Sequence, residues 1–377
     1  MCLDICSDKT GTLTQGKMVA KMMWIPSRGT YSIGESSEPY NPNAGGIFKQ
    51  PDLVGEMGAE SLTQNARVTP DELLIDNVEL EEYLKVASLA NLASVYQDTD
   101  AEWKARGDPT EIAIQVLACR FGWDRSLLTS GDVPSWRQVA EFPFDSDVKK
   151  MSVIFQDTRG KKNYVFTKGA VERIIDSCTS VHIHADKAAQ AMTDDIKSNI
   201  IANMEAIASQ GLRVLALASK EFTDPIVDME NINRSAVEKD LTFRGLIGLY
   251  DPPRPESAPS VRRCHQAGIA VHMLTGDHPG TATAIALSVG ILPSRFNGLS
   301  KESSEKMVMT AHQFDKLADD EIDRLPTLPF VIARCAPSTK VRMIKALHRR
   351  KKFAAMVCFS YSPSPSKKRL LILSLDW

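Results

Sequence analysis

Two textures of hydrophobic spacing divide the chain. From about Phe243 onward, short apolar runs alternate with amphipathic stretches. Phe243–Tyr250, Ile269–Leu274, Phe330–Arg334 and Phe353–Met356 read as strands, and Glu256–Ala267, Pro279–Val289 and Ser338–Arg350 as helices, the first two stopped by Gly268 and Gly290. Repeated strand–helix units predict a parallel, doubly wound sheet with its ligands at the strand C-termini. Cys2–Cys6 reads as one more strand, running into Asp8, and is predicted to join this late sheet.

Earlier positions have another rhythm. Val19–Ile25 is strand-like, and Ser27 to Pro70 is rich in Gly, Pro, Ser and Asn and reads as loops or an insertion. Leu73–Tyr96 carries Leu80, Leu84, Ala87, Leu89 and Leu92 at helical spacing. Thr110–Phe121 reads as a helix with Pro109 near its start, Lys149–Phe155 and Asn163–Thr167 as strands, Asp194–Gln210 as a helix stopped by Gly211, and Leu212–Ser219 as a buried strand. The division predicted is one domain from 1–17 plus 242–356, a second inserted as 18–241, and a tail over 357–377. In that tail Ser-Pro-Ser-Pro-Ser followed by Lys-Lys-Arg is linker-like and has no place in either domain.

At 377 residues, with 43% hydrophobic and 24% charged positions, the chain can bury two cores without disulfide or metal staples. A net charge of −2 gives no global attraction to nucleic acid or anionic membrane. The seven scattered cysteines read as reduced thiols of a cytoplasmic protein. No apolar run approaches the ~20 residues of a membrane helix.

Candidate chemistry begins at Asp8-Lys9-Thr10-Gly11-Thr12-Leu13-Thr14. A carboxylate ending a buried strand, followed by a turn of hydroxyls and a glycine, suits a nucleophile that takes a phosphoryl group while backbone N–H groups hold its oxygens. The same residues also fit a strand-ending Asx turn. Gly11 to Met18 reads as a near P-loop, but Met18 cannot supply the hydroxyl that ligates Mg²⁺ and the following residues look like a strand. Thr275-Gly276-Asp277 is a second phosphate candidate, between a strand and a helix start; a plain helix cap is its alternative. Lys340, early in its helix, could neutralise a phosphoryl oxygen or simply face solvent. Phe144 could stack on a base, with Lys149 and Lys168 meeting charge and Gly169 allowing close approach; a core phenylalanine and surface lysines are the alternative. His182 and His184 share a face of a possible strand and make a poor metal site.

The Asp8–Thr14 heptad resembles, position for position, the phosphorylation signature of the P-type cation-transporting ATPases. The resemblance implies a haloacid-dehalogenase-like α/β phosphorylation domain with an inserted α+β nucleotide-binding domain. It implies ATP and Mg²⁺ as cofactors, Asp8 as phosphoryl acceptor, and Asp8 with the Thr10 carbonyl as metal ligands. Thr275 and Gly276 match the family's contacts to the transferred group, and Ala333 to Lys340 matches the segment supplying its active-site lysine. Phe144 with Lys149, then Lys168 with Gly169, match its adenosine site; Glu111, Arg213, Asp251, Arg254 and Asp277 match further nucleotide contacts. The segments Gly107–Glu111 and Trp136–Val153 look most like the fungal sodium/potassium-efflux subgroup, which implies a monovalent cation and the cytosolic face of a membrane for the full-length family.

Two departures bear on activity. No actuator or membrane segment is in the sequence, so transport by this chain alone is not expected. After Met356 the family continues Thr-Gly-Asp-Gly-x-Asn-Asp, whereas Val357-Cys358-Phe359-Ser360-Tyr361 stands here. The aspartates that hold Mg²⁺ are thereby lost, and the tail reads as the product of truncation, a frameshift or a retained intron. The resulting expectation is ATP binding with impaired hydrolysis. An ATP-binding pseudoenzyme and a soluble haloacid-dehalogenase-like phosphatase are the alternatives; against the phosphatase stand the long insert and Thr10, where such hydrolases usually carry a second aspartate.

Overall fold

The computed structural model describes residues 3–34, 36, 38–51, 66–184, 188–223, 233–360 and 369–374. It is a mixed α/β molecule that divides into two compact units: Met1–Lys17 with Ala208–Arg213 and Asp251–Trp377, and Met18–Ile207 with Val214–Tyr250.

The first unit is built on a six-stranded sheet in the order Val308–Thr310, Val331–Ala333, Ala270–Leu274, Leu3–Ser7, Phe353–Ser360, Arg369–Ser374. All neighbours are parallel except the last pair. The N-terminal strand is central, with Ser7 opposite both Met273 and Val357. Asp8 and Thr275 therefore emerge side by side from the carboxyl ends of adjacent strands, where ligands of open α/β sheets collect. Apolar positions face the covering helices, and Cys6, Leu274, Phe314, Ile332, Met343 and Leu347 make a buried cluster. Helix Pro279–Val289 starts with Pro279 in its first turn and a His278 cap and closes at left-handed Gly290. Helix Pro337–Arg349 likewise opens on a proline, whose missing N–H and fixed φ suit the first helical position.

The second unit carries a larger sheet whose main path runs Ala66–Val68, Ile47–Gln50, Gly29–Ile33, Val19–Ile25, Leu241–Tyr250, Arg213–Phe222, Asn163–Gly169, Lys150–Asp157, Trp136–Asp145. Helices Val78–Leu89 and Pro109–Cys119 contribute Leu80, Leu84, Ile114 and Leu117 to a core shared with Phe155 and Phe166. Tyr83, fully buried, donates its hydroxyl to the Leu246 carbonyl at 3.0 Å, so its one polar atom is satisfied inside that core.

Four sequence expectations need correction. The Leu73–Tyr96 helix is two helices, Pro70–Leu74 and Val78–Leu89, followed by strand Ser94–Gln97; Asn77 caps the second helix, and the apolar period ends before Tyr96. Ser27 to Pro70 holds the strands Gly29–Ile33, Ile47–Gln50 and Ala66–Val68, whose cross-strand pairing overrides their turn-rich composition; 52–65 lie outside the described residues. Phe243–Tyr250 is a strand, but it pairs antiparallel with Val19–Ile25 in the larger sheet instead of opening the parallel one. Lastly, the strand read as Phe353–Met356 runs on to Ser360, because Val357-Cys358-Phe359 continues its apolar run, and Arg369–Ser374 pairs with it from Ala355 to Ser360. Cys2 and the Ser-Pro repeat lie outside the described residues.

Candidate functional site

At the tip of strand Leu3–Ser7 the chain turns so that the Asp8 N–H donates to the Val357 carbonyl at 2.9 Å. Asp8 Oδ1 accepts from the Lys9 N–H at 2.9 Å, and Oδ2 stands 3.1 Å from Lys340 Nζ. The turn Lys9–Leu13 closes with the Thr14 N–H on the Lys9 carbonyl at 3.1 Å, and Gly11 takes φ +76°, where a side chain would be strained.

Two residues far along the chain fix this turn. Asp251 is 3% exposed, accepting from the Thr14 hydroxyl at 2.6 Å with Oδ2 and from the Gly16 N–H at 2.9 Å with Oδ1. Burial pushes its carboxyl above the usual range, against the Thr14 hydrogen bond and the Lys9 charge. Arg254 donates to the Gly11 carbonyl at 2.6 Å. Asp251 and Arg254, matched at first to nucleotide contacts, thus brace the Asp8 turn and do not line the cavity beside it.

That cavity, of about 630 Å³, has a polar side made by Asp8, Thr10, Thr275, Gly276, Asp277 and Lys340. Arg213 also borders it, while Val341, Ile344 and Met356 supply an apolar wall. The loop Thr275–Asp277 is tied to the end of the neighbouring strand: the Thr275 N–H donates to the Ile332 carbonyl at 3.0 Å, and its own carbonyl accepts from the Cys335 N–H at 2.9 Å. The Cys335 thiol, in the same wall, is pushed by burial to about 11.

Sequence reasoning missed Lys9. It is 1% exposed and its ammonium sits 2.5 Å from Asp277. Burial pushes the Asp277 carboxyl upward, but Lys9 outweighs it and holds the group below the usual carboxylate range. The pair ties the Asp8 turn to the Thr275 loop. Lys9 stood inside the motif without a role of its own, because its burial depends on Asp277, a partner distant in sequence.

In the second unit the candidates form two contacts. Lys168, 6% exposed, places Nζ 2.6 Å from Glu111 Oε1 and donates to the Ala90 carbonyl at 2.5 Å. Burial depresses its ammonium, opposed by Glu111. Glu111 is set in the first turn of helix Pro109–Cys119, behind an Asp108 cap. Gly169 presses on the neighbouring turn: a Cβ there would strike the Lys149 carbonyl oxygen. That oxygen accepts from the Ala170 N–H at 3.0 Å, and Lys149 itself has φ +58°. Phe144, 61% exposed, presents its ring to solvent from strand Trp136–Asp145. His182 and His184 follow the end of strand Cys178–Val181.

The donors at Asp8 do not fit a Mg²⁺ ion. A hard divalent cation of this size wants about six oxygens. Asp8 and the Thr10 carbonyl are on offer, Lys340 already faces one Asp8 oxygen, and the described residues contain no group of three or more His, Cys, Asp or Glu that could hold a metal.

Comparison with known proteins agrees with the heptad. Residues 79–256 match the family described as P-type ATPase, cytoplasmic domain N. The chain is 45% identical to Sodium/potassium exporting P-type ATPase 2 of Saccharomyces cerevisiae, over 97% of this chain and 37% of that protein. It is 44% identical to Sodium/potassium exporting P-type ATPase cta3 of Schizosaccharomyces pombe, over 97% of this chain and 34% of that protein. Against the Calcium-transporting ATPase of Bacillus subtilis the identity is 31%, over 97% of this chain and 36% of that protein. The chain spans roughly a third of these relatives' length, and among its described residues no helix is long and apolar enough to cross a membrane. The matched domain, with this identity across nearly all its own length, makes the chain similar to one portion of the P-type ATPases.

Proposed function

We propose that this chain is the ATP-binding, phosphoryl-accepting portion of a P-type cation pump, with Asp8 as nucleophile. The observation that carries the reading is the Asp8–Lys340 pair at 3.1 Å in a cavity that Thr275, Gly276 and Asp277 also line. In the proposed step a carboxylate oxygen of Asp8 bonds to the γ-phosphorus as the bond from that phosphorus to the β,γ-bridging oxygen breaks, and ADP leaves with the electron pair. Lys340, the Thr275 hydroxyl and the Gly276 N–H meet the phosphoryl oxygens, while Lys9, Asp251 and Arg254 keep the turn in place. Phe144, Lys149, Lys168 and Gly169 take the adenosine end, with Glu111 orienting Lys168 and Arg213 available to a phosphate. This reading takes the parallel-sheet unit as a haloacid-dehalogenase-like acceptor domain and the other unit as its nucleotide-binding insert. Mg²⁺ supplies charge neutralisation in such reactions, but no step here is routed through it. In a whole pump at the cytosolic face of a membrane, the energy would drive export of a monovalent cation, as the names of the yeast relatives suggest.

The metal-poor donor set favours a second reading, nucleotide binding with little turnover. Incubation with γ-labelled ATP and Mg²⁺, then acid quench, separates the two. Hydroxylamine-labile label on the wild type and none on Asp8→Asn establishes the acceptor role. No label on either, with ATP binding retained, establishes the binding module.

A further inference from the structure

We infer that Glu238 and Arg234 are positioning residues for the nucleotide site, holding from behind the strands that present its ligand-facing groups; this rests on the nucleotide-site reading above. Glu238 is 5% exposed. Its Oε1 accepts from the Ser152 hydroxyl at 2.7 Å and from Arg234 Nε at 2.9 Å, and its Oε2 is 3.2 Å from Lys150 Nζ. A buried carboxylate held by one hydroxyl and two cations is fixed in place, because losing a partner leaves a buried polar or charged group less fully paired.

What the network touches gives it a function. Arg234 donates through Nη2 to the Lys150 carbonyl at 2.6 Å and through Nη1 to the Pro143 carbonyl at 3.3 Å. One guanidinium thus grips the residue before Phe144 and the residue after Lys149. Ser152 shares a hydrogen bond of 2.9 Å with Thr167, the residue before Lys168. Gly169 pairs with Lys150 across the sheet, and a Cβ on it would also meet Lys150 Cα at 3.0 Å. Any drift of the Lys150 backbone is therefore felt at Gly169. Arg234's planar fork is what lets one side chain serve Glu238 and two carbonyls together; a lysine could not.

The test is ATP titration of the full chain, with urea unfolding run in parallel. Glu238→Gln and Arg234→Ala are expected to bind ATP about tenfold more weakly while still folded, with Arg234→Lys between them and wild type. Because Glu238 acts through the Phe144 strand, adding Phe144→Ala to Glu238→Gln should cost less than Phe144→Ala costs in wild type. A stability-only role would lower the urea midpoint without that non-additivity. Wild-type affinity in folded Glu238→Gln and Arg234→Ala, or strictly additive losses, overturns the inference. If Glu238→Gln does not fold, the two Arg234 variants, changed at a partly exposed side chain, decide. Should Phe144→Ala and Lys168→Ala also leave affinity unchanged, the nucleotide-site reading falls and this one with it; if those two weaken binding and the Glu238 and Arg234 variants do not, only the positioning role falls.

Discussion

Lys9 and Asp277 form the pair whose removal should be felt most. Lys9→Met strands a buried carboxylate, and a loss of about 3 kcal/mol is expected by urea unfolding, largely recovered in Lys9→Met/Asp277→Leu. The pH dependence has a definite sign. Asp277 is held below its ordinary value of 3.8, so its contribution is complete above that pH and vanishes as pH falls through the lowered value. Asp251 is raised, so its contribution runs the other way, present below 3.8 and lost as pH climbs through its folded value. Midpoints measured from pH 5 downward should fall for wild type and fall less for Asp277→Asn. The residue types of this site were legible as a motif, but their partnerships were not. Thr14 and Asp251 are 237 positions apart, and nothing in local spacing says that one carboxylate will take a threonine hydroxyl and a glycine N–H.

Among the elements, helices announced themselves through their ends: Pro109 at one start, Pro279 and Gly290 at the two ends of another. Strands were harder wherever tertiary pairing, not composition, made them. Gly29–Ile33 and Ile47–Gln50 sit among turn-formers and become strands because each completes its neighbour's ladder. Leu241–Tyr250 was legible as a strand but not as a member of the antiparallel sheet, since an apolar run carries no record of which edge it will meet. Packing within that strand makes a prediction: a Cβ on Gly245 would strike the Trp24 carbonyl and come within 3.0 Å of the Tyr83 ring. Gly245→Ala should therefore cost roughly 2 kcal/mol or more in urea unfolding, as overpacking against backbone cannot relax through a flexible side chain.

Over the whole molecule, each of the two units has its own sheet and core. Compact units of this size can fold alone. Residues 18–250 expressed by themselves should bind ATP within about threefold of the full chain, a difference well under 1 kcal/mol, and should take no label from γ-labelled ATP. Loss of binding in that piece would move part of the nucleotide site outside it.

Cys335 offers a way to watch the cavity directly. With its thiol near 11, alkylation should be slow at neutral pH and quicken as pH rises toward that value. Cys6, Cys119 and Cys178 are pushed further, to about 12, and should lag behind it. In a Cys2→Ser/Cys264→Ser/Cys358→Ser background, inorganic phosphate that fills the space beside Lys340 should shield the sulfur and lower the modification rate. The protein would then report its own occupancy through a single sulfur atom, with no need for turnover.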